Sequence, residues 1–102
     1  MAFLRFALAM LAFASAAHAE PSRPARLGLC AACHGENGIA TAKGVPHLAG
    51  QDRDYLIAAL GQYRSGERGA AAMRAASGSL SAAEIAALAD WYAAQPRDGG
   101  AR

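Results

Sequence analysis

Apolar residues follow two kinds of pattern along this chain. After a single early charge, Arg5, residues 6–17 form one apolar stretch; downstream the apolar positions recur every three or four residues, the spacing of one helix face. The last helical pattern is the best marked. Ile85, Leu88, Ala89 and Tyr92 share a face, and Ser81-Ala82-Ala83-Glu84 is a capping box in which the serine side chain accepts from the backbone at Glu84. Leu80 and Ile85 are spaced as a hydrophobic staple, and Pro96, Gly99 and Gly100 stop the element, so a helix is predicted over residues 82–95. A middle helix is predicted from Asp52, a good N-cap, to Ser65, with Leu56, Ala59, Leu60 and Tyr63 on one face and Gly66 as terminator. Gly61 inside it costs about 1 kcal/mol relative to alanine. A short first helix over residues 24–32 brings Leu27 and Cys30 to one side. Residues 35–50 hold four glycines and one proline and read as a loop. Almost no period-two alternation is present to supply strands, so the predicted class is all-α, with about three helices.

The first stretch reads as an export leader rather than structure. Residues 1–19 combine Arg5, the apolar stretch and the small-x-small ending Ala17-His18-Ala19, which predicts cleavage after Ala19 and a periplasmic product. The apolar stretch of about a dozen residues is well short of the roughly 20 that a membrane-spanning helix needs, so no stable membrane insertion is expected after cleavage. One domain, residues 20–102, remains. Its charge is small: losing Arg5 leaves nine basic against eight acidic side chains, and all but one of the basic residues are arginines scattered singly. Such a surface has no large positive field and argues against nucleic acid as a partner.

The chemistry lies in Cys30-Ala31-Ala32-Cys33-His34. C-x-x-C-H is the spacing of c-type haem attachment: two thiols three positions apart can each add to one vinyl group of a single haem, and the next histidine falls beneath the iron. Other chemistries use two such cysteines. A thioredoxin-like redox centre would need surrounding strands and helices. A structural zinc site needs four ligands, for which the exported chain offers Cys30, Cys33, His34 and His47. Two buried free thiols fit poorly in an exported protein, where they are open to oxidation.

The order CAACHGENG, then VPHLAGQ, then a helix with Tyr55 and Leu60, then YRSGERGAAAM and LSAAEIAALADWY, resembles the small class I c-type cytochromes, both single-haem bacterial carriers and one half of double-haem ones. The likeness covers essentially all of residues 20–102. It implies a small cytochrome c fold wrapped around one covalent haem c. It further implies thioether links at Cys30 and Cys33, proximal iron ligation by His34, and a hydrogen bond from the other His34 ring nitrogen to the Pro46 carbonyl. The distal ligand it implies is Met73, which is also the only methionine left once Met1 and Met10 depart with the leader. His47 is the competing ligand; the resemblance places it, beside Pro46, on the His34 side. Tyr55, Tyr63, Arg64, Arg68 and Gln51 stand where the family buries aromatics or contacts propionates, and packing or solvation explains them equally well. Trp91 and Tyr92 are expected to pack helix on helix. The chain departs from the family pattern before the motif: Cys30 follows Glu20 by only ten positions, and Arg23 and Arg26 occupy sites the family gives to small or apolar residues. The family's crossing of first and last helices is therefore left open.

Two axial side chains would leave the iron no free position, so the implied function is a single-electron carrier without catalysis, exchanging electrons with redox partner proteins. Ala70, Ala71, Ala72, Ala75 and Ala76 around Met73 would form a small-residue rim for close approach of a partner. The alternatives are a haem-bearing subunit of a periplasmic dehydrogenase or oxidase complex, and an enzyme or gas sensor if Met73 dissociates.

Overall fold

The structure, a computed structural model, describes residues 2–3, 5, 7–12 and 20–100. Four helices and no strand occur among them: α1 (Leu27–His34), α2 (Arg53–Ser65), α3 (Ala71–Ser77) and α4 (Ala82–Ala93). The all-α expectation therefore holds, with one helix more than the periodicity predicted. None of these helices is long and apolar enough to cross a membrane. The described residues among the first twelve have no helix or strand, and Phe3, Leu8, Met10 and Leu11 are all exposed, so these four side chains add nothing to the core. The expected cleavage site at Ala17-His18-Ala19 lies outside the described residues.

Helices α2 and α4 form where their caps dictate. The Asp52 side chain accepts from the Tyr55 backbone N–H at 2.8 Å, and Gly66 closes α2 with φ +84°, a left-handed conformation that suits a residue without a Cβ. At α4 the box closes in both directions: the Glu84 N–H donates to the Ser81 hydroxyl, and the Ser81 N–H donates to the Glu84 carboxylate, each at 3.0 Å. Helix α2 packs on α4 and on α3, and Arg53 pairs with Asp90 to tie α2 to α4. The core is small, built from Leu27, Leu56, Leu80, Ile85, Leu88, Ala89 and Tyr92.

Helix α1 starts later and ends later than residues 24–32, so the whole C-x-x-C-H motif lies inside it. Leu27 is fully buried in the core. In front of it Pro24 is buried, and Arg23 and Arg26 on either side act by charge. Arg23 pairs with Glu36 at 2.7 Å, while Arg26 donates to the Ser79 hydroxyl at 2.8 Å and lies 3.8 Å from Glu84. The N-terminal arm is thus fastened to the loop after α1 and to the start of α4 by polar contacts.

The capping box sets a pH dependence. The Ser81 backbone N–H holds the Glu84 carboxyl below the ordinary glutamate range, with the Ser81 hydroxyl and Arg26 adding to the effect and partial burial opposing it. A carboxylate depressed on folding contributes its full stabilisation above its unfolded value and loses it as pH falls through the folded one. Thermal melts should therefore show stability falling in acid over that window, and Glu84→Gln should flatten the fall. Ser81→Ala should cost about 1 kcal/mol, a melting temperature lower by about 4–8 °C for a domain of this size.

Candidate haem-binding site

The thiols of Cys30 and Cys33 lie one turn apart on α1 and are unpaired. Cys30 is half-buried against the core and Cys33 is exposed. Burial pushes the Cys30 thiol up, and the charge of Arg26 partly offsets this. His34 closes the helix, is 8% exposed, and its Nδ1 lies 2.9 Å from the Pro46 carbonyl oxygen. That oxygen can only accept, so Nδ1 carries a proton, and in the neutral ring Nε2 keeps its lone pair. Nε2 makes no hydrogen bond among the described residues, which leaves the imidazole oriented by its back nitrogen and open for ligation at its front one.

The end of α1 presents backbone carbonyls that need donors. The Ala31 carbonyl accepts from the Gly35 N–H, and the Cys33 carbonyl from the N–H groups of Thr41 and Ala42. Gly35, directly after the histidine, has φ +79°, and a Cβ there would stand 2.1 Å from the Ile39 carbonyl oxygen. The chain can therefore turn back under α1 only with glycine at this position.

Met73 sits on α3, half-buried, rather than in a loop. Alanines 70, 71, 72 and 75 around it are exposed. One turn further, Ser77 is 1% exposed and its hydroxyl has no partner. His47 is exposed, and its Nδ1 accepts from the Ala40 N–H at 2.8 Å. That bond gives His47 a structural task in the same loop as Pro46. Arg68 stacks over Tyr63 and Tyr55, 5.0 and 6.0 Å from the ring centroids, and donates to the Tyr55 hydroxyl, while Arg64 donates to the Leu80 carbonyl at 3.1 Å. Gln51 accepts from the Asp52 N–H.

Trp91 and Tyr92 do more than pack. The Trp91 indole N–H donates to the Glu36 carbonyl at 2.6 Å and the Tyr92 hydroxyl to the Gly35 carbonyl at 3.0 Å, so both reach back to the segment that follows His34. Sequence reasoning missed this. The available signal was that buried Tyr and Trp carry a polar tip that needs a partner.

Neither the zinc nor the thioredoxin-like reading finds support in these surroundings. Among the described residues no three of His, Cys, Asp and Glu gather to hold a metal ion, and no strand flanks the cysteines.

The family model for cytochrome c oxidase, cbb3-type, subunit III matches residues 26–91, which contain the motif, Pro46 and Met73. The chain belongs to this cytochrome c family. Cytochrome c-554(548) of Halomonas halodenitrificans is 38% identical over 73 residues, covering 69% of this chain and 88% of that protein. Cytochrome c4 of Pseudomonas aeruginosa is 32% identical over 92 residues, 90% of this chain but 46% of that protein. The thiosulfate dehydrogenase electron acceptor of Thiomonas intermedia is 40% identical over 70 residues, 68% of this chain and 32% of that protein. The chain thus spans most of the first relative and half or less of the other two. Cytochrome c membership makes it an electron carrier rather than a catalyst and implies covalent haem c. The residues present fit that group: paired thiols one turn apart, a buried imidazole with Nε2 unengaged, and an orphaned buried hydroxyl on the methionine-bearing helix.

Proposed function

We propose that residues 20–102 form a periplasmic single-electron carrier with one haem c, linked through Cys30 and Cys33 and ligated axially by His34 and Met73, after removal of residues 1–19 at Ala19. The His34 Nδ1 to Pro46 carbonyl bond at 2.9 Å carries the reading. It fixes the ring plane and increases the electron donation of Nε2. When bound, the haem supplies one-electron exchange between iron(II) and iron(III). The chain's residues would hold it: the thiols by covalent bonds, His34 and Met73 as ligands to the iron, and Pro46 through His34. His47 follows Pro46, whose carbonyl is bound to His34, and this supports Met73 over His47 as the distal ligand.

The test is one preparation of the periplasmic protein. Mass spectrometry should show the chain from Glu20 plus one haem, a pyridine haemochrome assay should give two thioether links, and the oxidised protein should show the weak near-infrared methionine-to-iron band. A colourless, unmodified chain would overturn the reading.

The match to an oxidase-subunit family and to an electron acceptor of a dehydrogenase favours a second reading, a haem-bearing subunit of a larger redox complex. Size-exclusion chromatography of native extract separates the two. A carrier elutes alone, and a subunit elutes with its complex.

A further inference from the structure

The last helix reaches the loop that carries Pro46 at both of its ends. At the near end, Tyr92 and Trp91 donate to the Gly35 and Glu36 carbonyls, the first two residues after His34. At the far end, the Gly50 N–H donates to the Tyr92 carbonyl at 3.0 Å and Arg97 donates to the Gly50 carbonyl at 3.1 Å. Between these anchors the loop is cross-tied, with the Leu48 and Ala49 N–H groups both donating to the Gly38 carbonyl. The Tyr92 hydroxyl is part of the interior: the residue is 3% exposed, and burial pushes its ionisation well above the ordinary tyrosine value, so it remains a donor.

The Pro46 carbonyl can orient His34 only if loop and helix end keep a fixed relation, and Tyr92 and Trp91, which fix it, lie 57 and 55 positions downstream of the Gly35 and Glu36 carbonyls they hold. We infer that Tyr92 and Trp91 are positioning residues for the proximal ligand: by clamping the Gly35 and Glu36 carbonyls, they hold the His34–Pro46 hydrogen bond closed and so set the donor strength of His34 toward the iron. The inference rests on His34 being the proximal ligand. Releasing the clamp lets that bond open more often. The imidazole then donates less well, iron(III) is less stabilised, and the reduction potential rises.

The experiment uses the haem-loaded full chain. Tyr92→Phe removes one oxygen and keeps the ring, and Trp91→Phe removes the second donor. Asp90→Asn, on the same helix, breaks the pair with Arg53 and serves as a control for lost stability alone. Two readouts are followed: solvent exchange of the His34 Nδ1 proton by NMR of the reduced protein, and the reduction potential. Losing one hydrogen bond of about 1 kcal/mol should speed that exchange about fivefold in Tyr92→Phe, with a rise in potential. Asp90→Asn should change neither, although it melts earlier. Tyr92→Phe holding haem and both axial ligands, with exchange and potential as in the wild type, overturns the clamp while leaving the proposed function standing. Asp90→Asn moving both readouts as far as Tyr92→Phe overturns it too, because the effect would then be general loosening. Wild-type protein without haem overturns both readings, a failure visible before any variant is compared. Should Trp91→Phe fail to accumulate, Tyr92→Phe against Asp90→Asn decides the matter alone.

Discussion

A Cys30→Ser, Cys33→Ser double variant, exported and purified without haem, is expected to lose most of its helical far-ultraviolet circular dichroism. Among the described residues the core cluster contains seven side chains, one of them only an alanine, and domains this small seldom fold on such a core without a covalent or metal staple. Burying roughly 400 Å² of macrocycle at about 25 cal/mol per Å² contributes on the order of 10 kcal/mol as an upper figure. That equals the net stability of a typical domain, about 5–15 kcal/mol. The caps of α2 and α4 cannot replace it, since each is worth about 1 kcal/mol. Helical dichroism with a cooperative melt in the double variant would show that the four helices stand without the group.

Met73→Ala should leave the fold in place and change the iron. Met73 is half-buried, so its truncation should cost less than the about 2–5 kcal/mol of a core methionine. The near-infrared band should vanish, and the reduced protein should bind carbon monoxide at neutral pH, as the intact protein should not. The reduction potential should fall by a sizeable part of the roughly 0.8 V span over which axial ligands act. Replacement of Met73 by histidine should likewise lower it, because methionine is the ligand that raises the potential. A Met73→Ala protein with an unchanged band and no carbon monoxide binding would remove Met73 from the iron.

The parts of this molecule written in side-chain chemistry were legible before the structure. Asp52, Ser81 and Glu84 each hold an orphan backbone group through a side-chain atom, and Gly66 supplies the left-handed backbone, so the starts of α2 and α4 and the end of α2 fall where the caps stand. Helix α3 had no such marks. Its N-cap is Ala70 with no side chain to donate or accept, and the only buried residue it offers is Ser77, so no apolar face announces it. Helix α1 was displaced for a related reason: Arg26 at its start makes no side-chain cap, and its buried positions are a single leucine and the histidine. The haem motif was legible because it is local. The Pro46 carbonyl and the aromatic donors were harder, because a backbone acceptor leaves no trace in residue identity and its partners lie far along the chain.

That distance also orders events in time. The Gly35 and Glu36 carbonyls meet Tyr92 and Trp91 only after almost the whole polypeptide has been made, and contacts of such long sequence separation form late because the loop they close is large. Until the C-terminal segment arrives, Cys30 and Cys33 belong to a short helix with no side-chain N-cap, whose isolated stability in water is negligible. On the proposed reading the motif therefore stays open until its thiols are linked, and the last helix can shut over it only once the haem is in place.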